Sequence, residues 1–201
     1  MIRKPPFFIS LFCAMLTASG MLPGVNPAQA GDAKAFDSLE AGLGYVVNTN
    51  RNDFHARWKP QWGAEGFIQT PFYYGDVQVG IRVVSYSRRI DGVPDFHSLF
   101  VSVGWGKRWD LPYNLEGFVG FSVGSDQMIF EEEDLSGSKL ETESGTSFNA
   151  RLSYPIYGKW AFNMSGNYTV ILTQRRIKLA FLSAGISRSF SLPDWIKEFL
   201  R

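Results

Sequence analysis

Cysteine is all but absent: the chain of 201 residues holds one, Cys13, and none after it. That excludes a disulfide scaffold and a cysteine-ligated metal from everything downstream. Histidine is nearly as scarce, with only His55 and His97, which leaves little for imidazole-based catalysis or metal binding. Neither charge dominates, because 20 Lys and Arg stand against 19 Asp and Glu. The basic footprint of a nucleic-acid binder is therefore missing. Long hydrophobic runs are missing too. Beyond residue 30 nothing approaches the roughly 20 apolar residues of a membrane helix. A chain of this kind crosses a membrane only with strands.

The first 30 residues read as an export signal. Arg3 and Lys4 give a positive start, an apolar stretch runs from Phe7 through Leu16, and Ala28-Gln29-Ala30 supplies the small-x-small pattern of a signal peptidase site. The run is short for a membrane helix, with Pro5, Pro6 and Pro23 flanking it. Cys13 raises a lipoprotein signal as the rival. Ser10-Leu11-Phe12 before it lack the small residue that such signals place directly ahead of the cysteine. Cleavage near Gly31 leaves 171 residues, the size of one domain.

What is there in abundance is alternation. In about eight segments between Leu39 and Phe190, apolar residues take every second place opposite small or polar ones, the period of a strand with one greasy and one wet face. Leu39, Ala41, Leu43, Tyr45 and Val47 oppose Glu40, Gly42 and Gly44. The second segment, Phe54 to Ile68, sets Trp58, Trp62 and Ala64 against Arg57, Lys59, Gln61 and Glu65, with Pro60 marking a bulge. Val77 to Val83 oppose Asp76, Gln78, Gly80 and Arg82. Leu99 to Trp105, Leu115 to Val123, Phe148 to Tyr154, Trp160 to Val170 and Leu182 to Phe190 complete the set.

The turns near Thr70, Asp110 and Pro155 are short, whereas the connections at Arg88 to Asp95 and Ser125 to Ser144 are long. Aromatics gather beside the short turns: Phe72, Tyr73, Tyr74, Trp105, Trp109, Tyr113, Tyr154, Tyr157, Trp160 and Phe190. Alternating loop length and an aromatic girdle are expected of a transmembrane barrel. The wet face is small, rich in Gly and Ser, with single charges that balance: Glu40, Glu65, Asp76 and Glu116 against Arg57, Lys59, Arg82 and Arg151. These eight are expected to form a paired charge network filling the interior, since enclosed charges persist only when paired. An eight-stranded ring leaves room for side chains and none for a pore.

After Phe190 the period changes. Trp195, Ile196, Phe199 and Leu200 recur at helical spacing behind Pro193 and Asp194, which predicts a short amphipathic helix over residues 191–201. The expected fold is therefore all-β: a closed antiparallel eight-stranded transmembrane barrel over residues 31–190 with that helix appended.

Gly185-Ile186-Ser187-Arg188-Ser189-Phe190 resembles the terminal signal read by the barrel-assembly machinery, Gly185, Ile186 and Phe190 carrying the likeness. Arg188 departs from it, an apolar residue being usual there. In pattern and size the mature chain resembles the small eight-stranded outer-membrane barrels of the opacity-protein and OmpX/OmpA-barrel type. The resemblance implies a Gram-negative-type outer membrane, both termini in the periplasm, and assembly by that machinery. It implies roles from adhesion to structural support, with outer-membrane lipids including lipopolysaccharide as partners.

Some barrels of this size modify lipid A with a Ser–His pair. His97 and Ser98 are adjacent and so face opposite sides of a strand, and His55 has only Thr49 as a nearby hydroxyl. No catalytic, cofactor or metal-binding residue is assigned. Glu131 to Asp134 reads as a solvated acidic loop, and Arg88-Arg89 and Arg175-Arg176 as rim charges able to meet lipid phosphates. Three functions stay open: a non-enzymatic barrel interacting through its outer loops, mainly Ser125 to Ser144; an outer-leaflet lipid A-modifying enzyme; and an accessory subunit of an envelope complex, held through the tail helix.

Overall fold

The computed structural model describes residues 35–132, 138–173, 176–193 and 195. Eight strands, β1 (Ser38–Asn48), β2 (Trp58–Phe72), β3 (Gly75–Arg88), β4 (Phe96–Leu111), β5 (Leu115–Phe130), β6 (Leu140–Tyr157), β7 (Trp160–Ile171) and β8 (Ile177–Ser191), follow one another around a closed barrel. Each is antiparallel to the next. β8 closes on β1 through eleven residue pairs from Ser38↔Ser191 to Asn48↔Phe181.

The ring is staggered. From the level of Ser38, the pairing runs through Pro71, Asp76, Gly106, Gly120, Asn149, Asn167 and Phe181 and returns to β1 at Asn48, ten residues along. A stagger of this kind tilts the strands by about 35–45° and lets side chains fill the centre.

Strand length differs from expectation in three places. A single helical turn, α1 (Phe54–Arg57), occupies the predicted start of β2. The expected loop over Ser125 to Ser144 is largely strand, since β5 continues to Phe130 and β6 resumes at Leu140. β8 begins at Ile177, before the predicted Leu182. At the end carrying residues 38 and 191 the turns are tight. Tyr73, Tyr113 and Asn114 adopt left-handed backbone angles of φ 52°, 64° and 58°. Such angles are uncommon outside glycine, and tight hairpin reversals are where the chain demands them.

The outer face is apolar. Leu43, Val79, Ile81, Val101, Val103, Phe121, Val123, Met164 and Ile186 are all exposed. Tyr73, Tyr74, Tyr113, Tyr157 and Trp160 are exposed too, grouped at the tight-turn end. No helix among the described residues is long and apolar enough to cross a membrane. The export signal lies outside the described residues. The tail helix predicted over residues 191–201 does not begin at 191: Ser191 is the last residue of β8, paired with Ser38, so the ladder holds it extended. Beyond it only Leu192, Pro193 and the exposed Trp195 are described.

Candidate functional site: the barrel interior and its loop end

The interior is built in tiers. At the tight-turn end, Arg108 on β4 gathers three carboxylates. Its Nη2 lies 3.2 Å from Glu40 Oε2, its Nε 3.2 Å from Asp76 Oδ2 and its Nη1 3.0 Å from Glu116 Oε1. The glycine-rich register allows this: where Gly106, Gly120 and Gly104 face inward, long side chains from neighbouring strands have space to cross. Beside the cluster a recess of about 340 Å³ opens to the barrel end, lined by Glu40, Arg108, Asn114, Glu116, Lys159 and Ser189.

In the middle tier, two buried arginines sit among rings and neutral polar groups. Arg151 donates to Gln69 and, at 3.5 Å, to Gln78, with its guanidinium 3.8 Å from the Phe67 centroid and 5.0 Å from that of Phe118. Arg82 donates to Thr169 Oγ1 at 2.7 Å and lies 4.0 Å over Phe181 and 5.1 Å from Phe100. Neither is ion-paired among the described residues. A desolvated guanidinium gains from the negative face of an aromatic ring, and its flat, weakly hydrated head suits such a slot. Glu65 accepts from Ser165 at 2.9 Å, Ser183 at 2.5 Å and Asn167 at 3.3 Å. The cavity these groups leave is about 60 Å³, space for a few waters.

The predicted charge network is thus rearranged. Glu40, Asp76 and Glu116 converge, but on Arg108, which sequence reasoning passed over. Glu65, Arg82 and Arg151 face inward with the neutral or aromatic partners just described. Arg57 and Lys59 do not face inward at all: both are exposed. The cause is a register shift between Pro60, opposite Tyr86, and Gly63, opposite Val84. Pro60 has no N–H for the ladder, and one extra residue is accommodated there as a bulge. Gln61 and Trp62 both point outward, and the strand's alternation inverts beyond them.

The loop end is greasy inside. Val46, Val84, Tyr86, Phe96, Met128, Phe130, Ile171, Leu179 and Phe181 form one buried cluster, with Phe54, Trp58 and Ile177 against it. Phe96 stacks on Tyr86 at 4.9 Å, and Phe54 from α1 meets both edge-on. Trp58 fixes its indole by donating Nε1–H to Pro94 O at 3.0 Å. This cap replaces the polar filling expected from the sequence.

Over it, asparagines tie the first loop to β8. Asn50 and Asn52 donate to Lys178 O, and Asn50 Oδ1 accepts from Ala180 N. His55, buried, sits between Asn48 Oδ1 at 2.6 Å and the Asn52 backbone N–H at 3.3 Å. Burial pushes its imidazole down to about 4, with Arg51 and Arg89 adding repulsion. His97 lies on the outer side, 3.8 Å from Glu131, while Ser98 turns inward to donate to Asp126 at 2.9 Å. The Ser–His arrangement of a lipid hydrolase is not assembled from these residues.

Of the predicted assembly signal, Ile186 and Phe190 face outward and are exposed. Gly185 lies opposite Gly44 in the closing seam, where a Cβ would collide with the Leu43 carbonyl. Arg188 also faces outward, 5.3 Å from the centroids of both Trp160 and Phe190.

No family model matches the sequence, and no curated protein is significantly similar to it. Solved structures do match. The N-terminal β-barrel domain of Pseudomonas aeruginosa OprF aligns with TM-score 0.51 at 13% identity, covering 78% of this chain and 99% of that one. Outer membrane protein OprG from Pseudomonas aeruginosa aligns with TM-score 0.50 at 13% identity, over 80% and 99%. Neisserial surface protein A aligns with TM-score 0.48 at 14% identity, over 76% and 96%. At such identities the likeness is one of fold: the chain has the small eight-stranded barrel of the OprF domain and OprG.

Proposed function

We propose that the chain is an integral outer-membrane barrel that acts by contact, through its loop end, and neither catalyses nor conducts. The single observation carrying this reading is a sheet turned inside out relative to a soluble protein. Its outer face is exposed and apolar, whereas its interior is occupied by Arg108 with its three acids, two ring-held arginines and an apolar cap. An apolar outer band is stable only in lipid, and a filled interior leaves no continuous water path. In this reading residues 1–30 are removed on export, and both barrel termini face the periplasm. The assembly machinery reads Gly185, Ile186 and Phe190. The tail over residues 191–201 lies on the inner leaflet through Trp195, Ile196, Phe199 and Leu200, or docks there on an envelope protein.

The membrane fraction is expected to yield a band whose gel migration changes on heating. Purified protein in planar bilayers is expected to give no large steady conductance, and lipid A is expected to keep its mass in cells expressing the chain. Detergent-free solubility of the mature polypeptide would overturn the membrane assignment, and a mass change in lipid A would make the barrel an enzyme.

A further inference from the structure

The bulge at Pro60–Gly63 does more than break a pattern. In an unbroken strand the alternation would send Arg57 and Lys59 into the barrel. With one residue extra, both emerge on the outside, against the end of β3. There the Arg89 N–H donates to Arg57 O at 2.7 Å, and Lys59 stands opposite Ser87, whose Oγ accepts from Gln61 Nε2 at 2.5 Å. Arg89 is exposed beside them, and Arg88, in register with the inward-facing Trp58, is exposed at the rim where β3 ends. None of these four cations is ion-paired among the described residues, in contrast to Arg108 with its three carboxylates. Asp95, in the loop just before β4, accepts the backbone N–H of Arg88 at 2.7 Å. Asp53 and Asp91 are exposed on the flanking loops. Directly below the cations, Trp62 is 51% exposed, and Ile81, Ile68 and Val79 continue the apolar face downward.

We infer that this corner of β2 and β3 binds the phosphate groups of an outer-leaflet glycolipid, its acyl chains lying on Trp62 and Ile81. The site rests on the reading that the loop end faces outward in an outer membrane, and it deepens that reading by naming the lipid chemistry. Two arguments select a phospholipid-like anion. Guanidinium forks match phosphate oxygens in pairs, and Ser87 and Gln61 add neutral polar groups at the same level. Position selects a lipid over a free ion: an unpaired cationic shelf standing immediately above an apolar wall matches a molecule whose phosphates cap its hydrocarbon. An indole at the junction suits that boundary.

The test uses the full mature barrel in detergent or nanodiscs. Three probes are titrated: bis-phosphorylated lipid A, the same lipid dephosphorylated, and inorganic phosphate. Tenfold or greater weakening of bis-phosphorylated lipid A binding is expected in the R57A/K59A/R88A/R89A variant, with Lys139→Ala, an exposed cation on another loop, unchanged. Dephosphorylated lipid A and inorganic phosphate are each expected to bind at least tenfold more weakly than the intact lipid. Equal binding by the quadruple variant, or by the dephosphorylated lipid, overturns the site. Inorganic phosphate binding as tightly as the lipid overturns the lipid assignment. Heat-modifiable migration is followed in parallel for every protein, and its absence in the unaltered chain overturns the membrane reading itself.

Discussion

The two halves of the barrel interior solve the same packing problem by opposite means. Toward the tight turns the centre is ionic, with one guanidinium shared by three acids; toward the loops it is a cluster of rings and aliphatic chains closed by Phe54 and Trp58. The ionic half is interdependent, because a buried charge left alone costs far more than the pair contributed. The greasy half is graded, because each apolar side chain contributes roughly in proportion to what it buries. One half therefore resists substitution as a unit, and the other yields residue by residue.

The sharpest way to break that contrast is at its centre. Arg108→Ala is expected to cost about 3–5 kcal/mol in unfolding free energy from lipid, the figure for orphaning a buried ion pair, and adding Glu116→Gln is expected to recover part of the loss. A single-mutant penalty below that of any cap substitution would show that the carboxylates are solvated and the two halves alike. In the cap, Phe96→Ala is expected to cost about 3 kcal/mol, at the low end for a buried aromatic because loops can settle into the space. Phe96→Leu should cost clearly less, whereas an equal penalty would mean that the cap too responds as a unit.

The smallest effect concerns the lid above the cap. His55 titrates near 4 when folded against about 6.5 unfolded, so the unfolded loop binds the proton first. Stability of the first loop is full above about pH 6.5 and declines as pH falls toward 4. Hydrogen exchange of α1 is expected to accelerate over that interval, and His55→Gln to remove the dependence. A pH-independent α1 in the unaltered chain would place the histidine in water.

Much of the architecture was legible because a two-residue period survives for most of the chain. β1, β3, β6 and β7 face as their alternation says, and Glu40, Asp76, Arg82 and Arg151 turn inward accordingly. What escaped has local physical causes. Pro60 announces a bulge, but the sequence does not say which side of it keeps the original parity, and unbroken alternation points Arg57 and Lys59 inside. Arg108 lies one alternation step beyond Gly106, where the apolar pattern of the fourth strand fades and its inward parity is easily lost. The polarity of Ser125 to Ser144 suggests a loop around Asp126, yet polar residues face a barrel's own centre as readily as they face water. The cap was invisible for the converse reason: Val46, Val84 and Phe96 stand on the face presumed wet.

The eleven-pair seam between β1 and β8 has a consequence for how the molecule comes into being. The first strand made waits for the last, so a nascent ribbon of any length keeps two bare margins until Ile177–Ser191 arrives. Such margins are templates for pairing with other chains, and contacts this distant in sequence form slowly. Closing this one seam removes both margins together, so a half-made ring is the form most exposed to mispairing and the finished one the least.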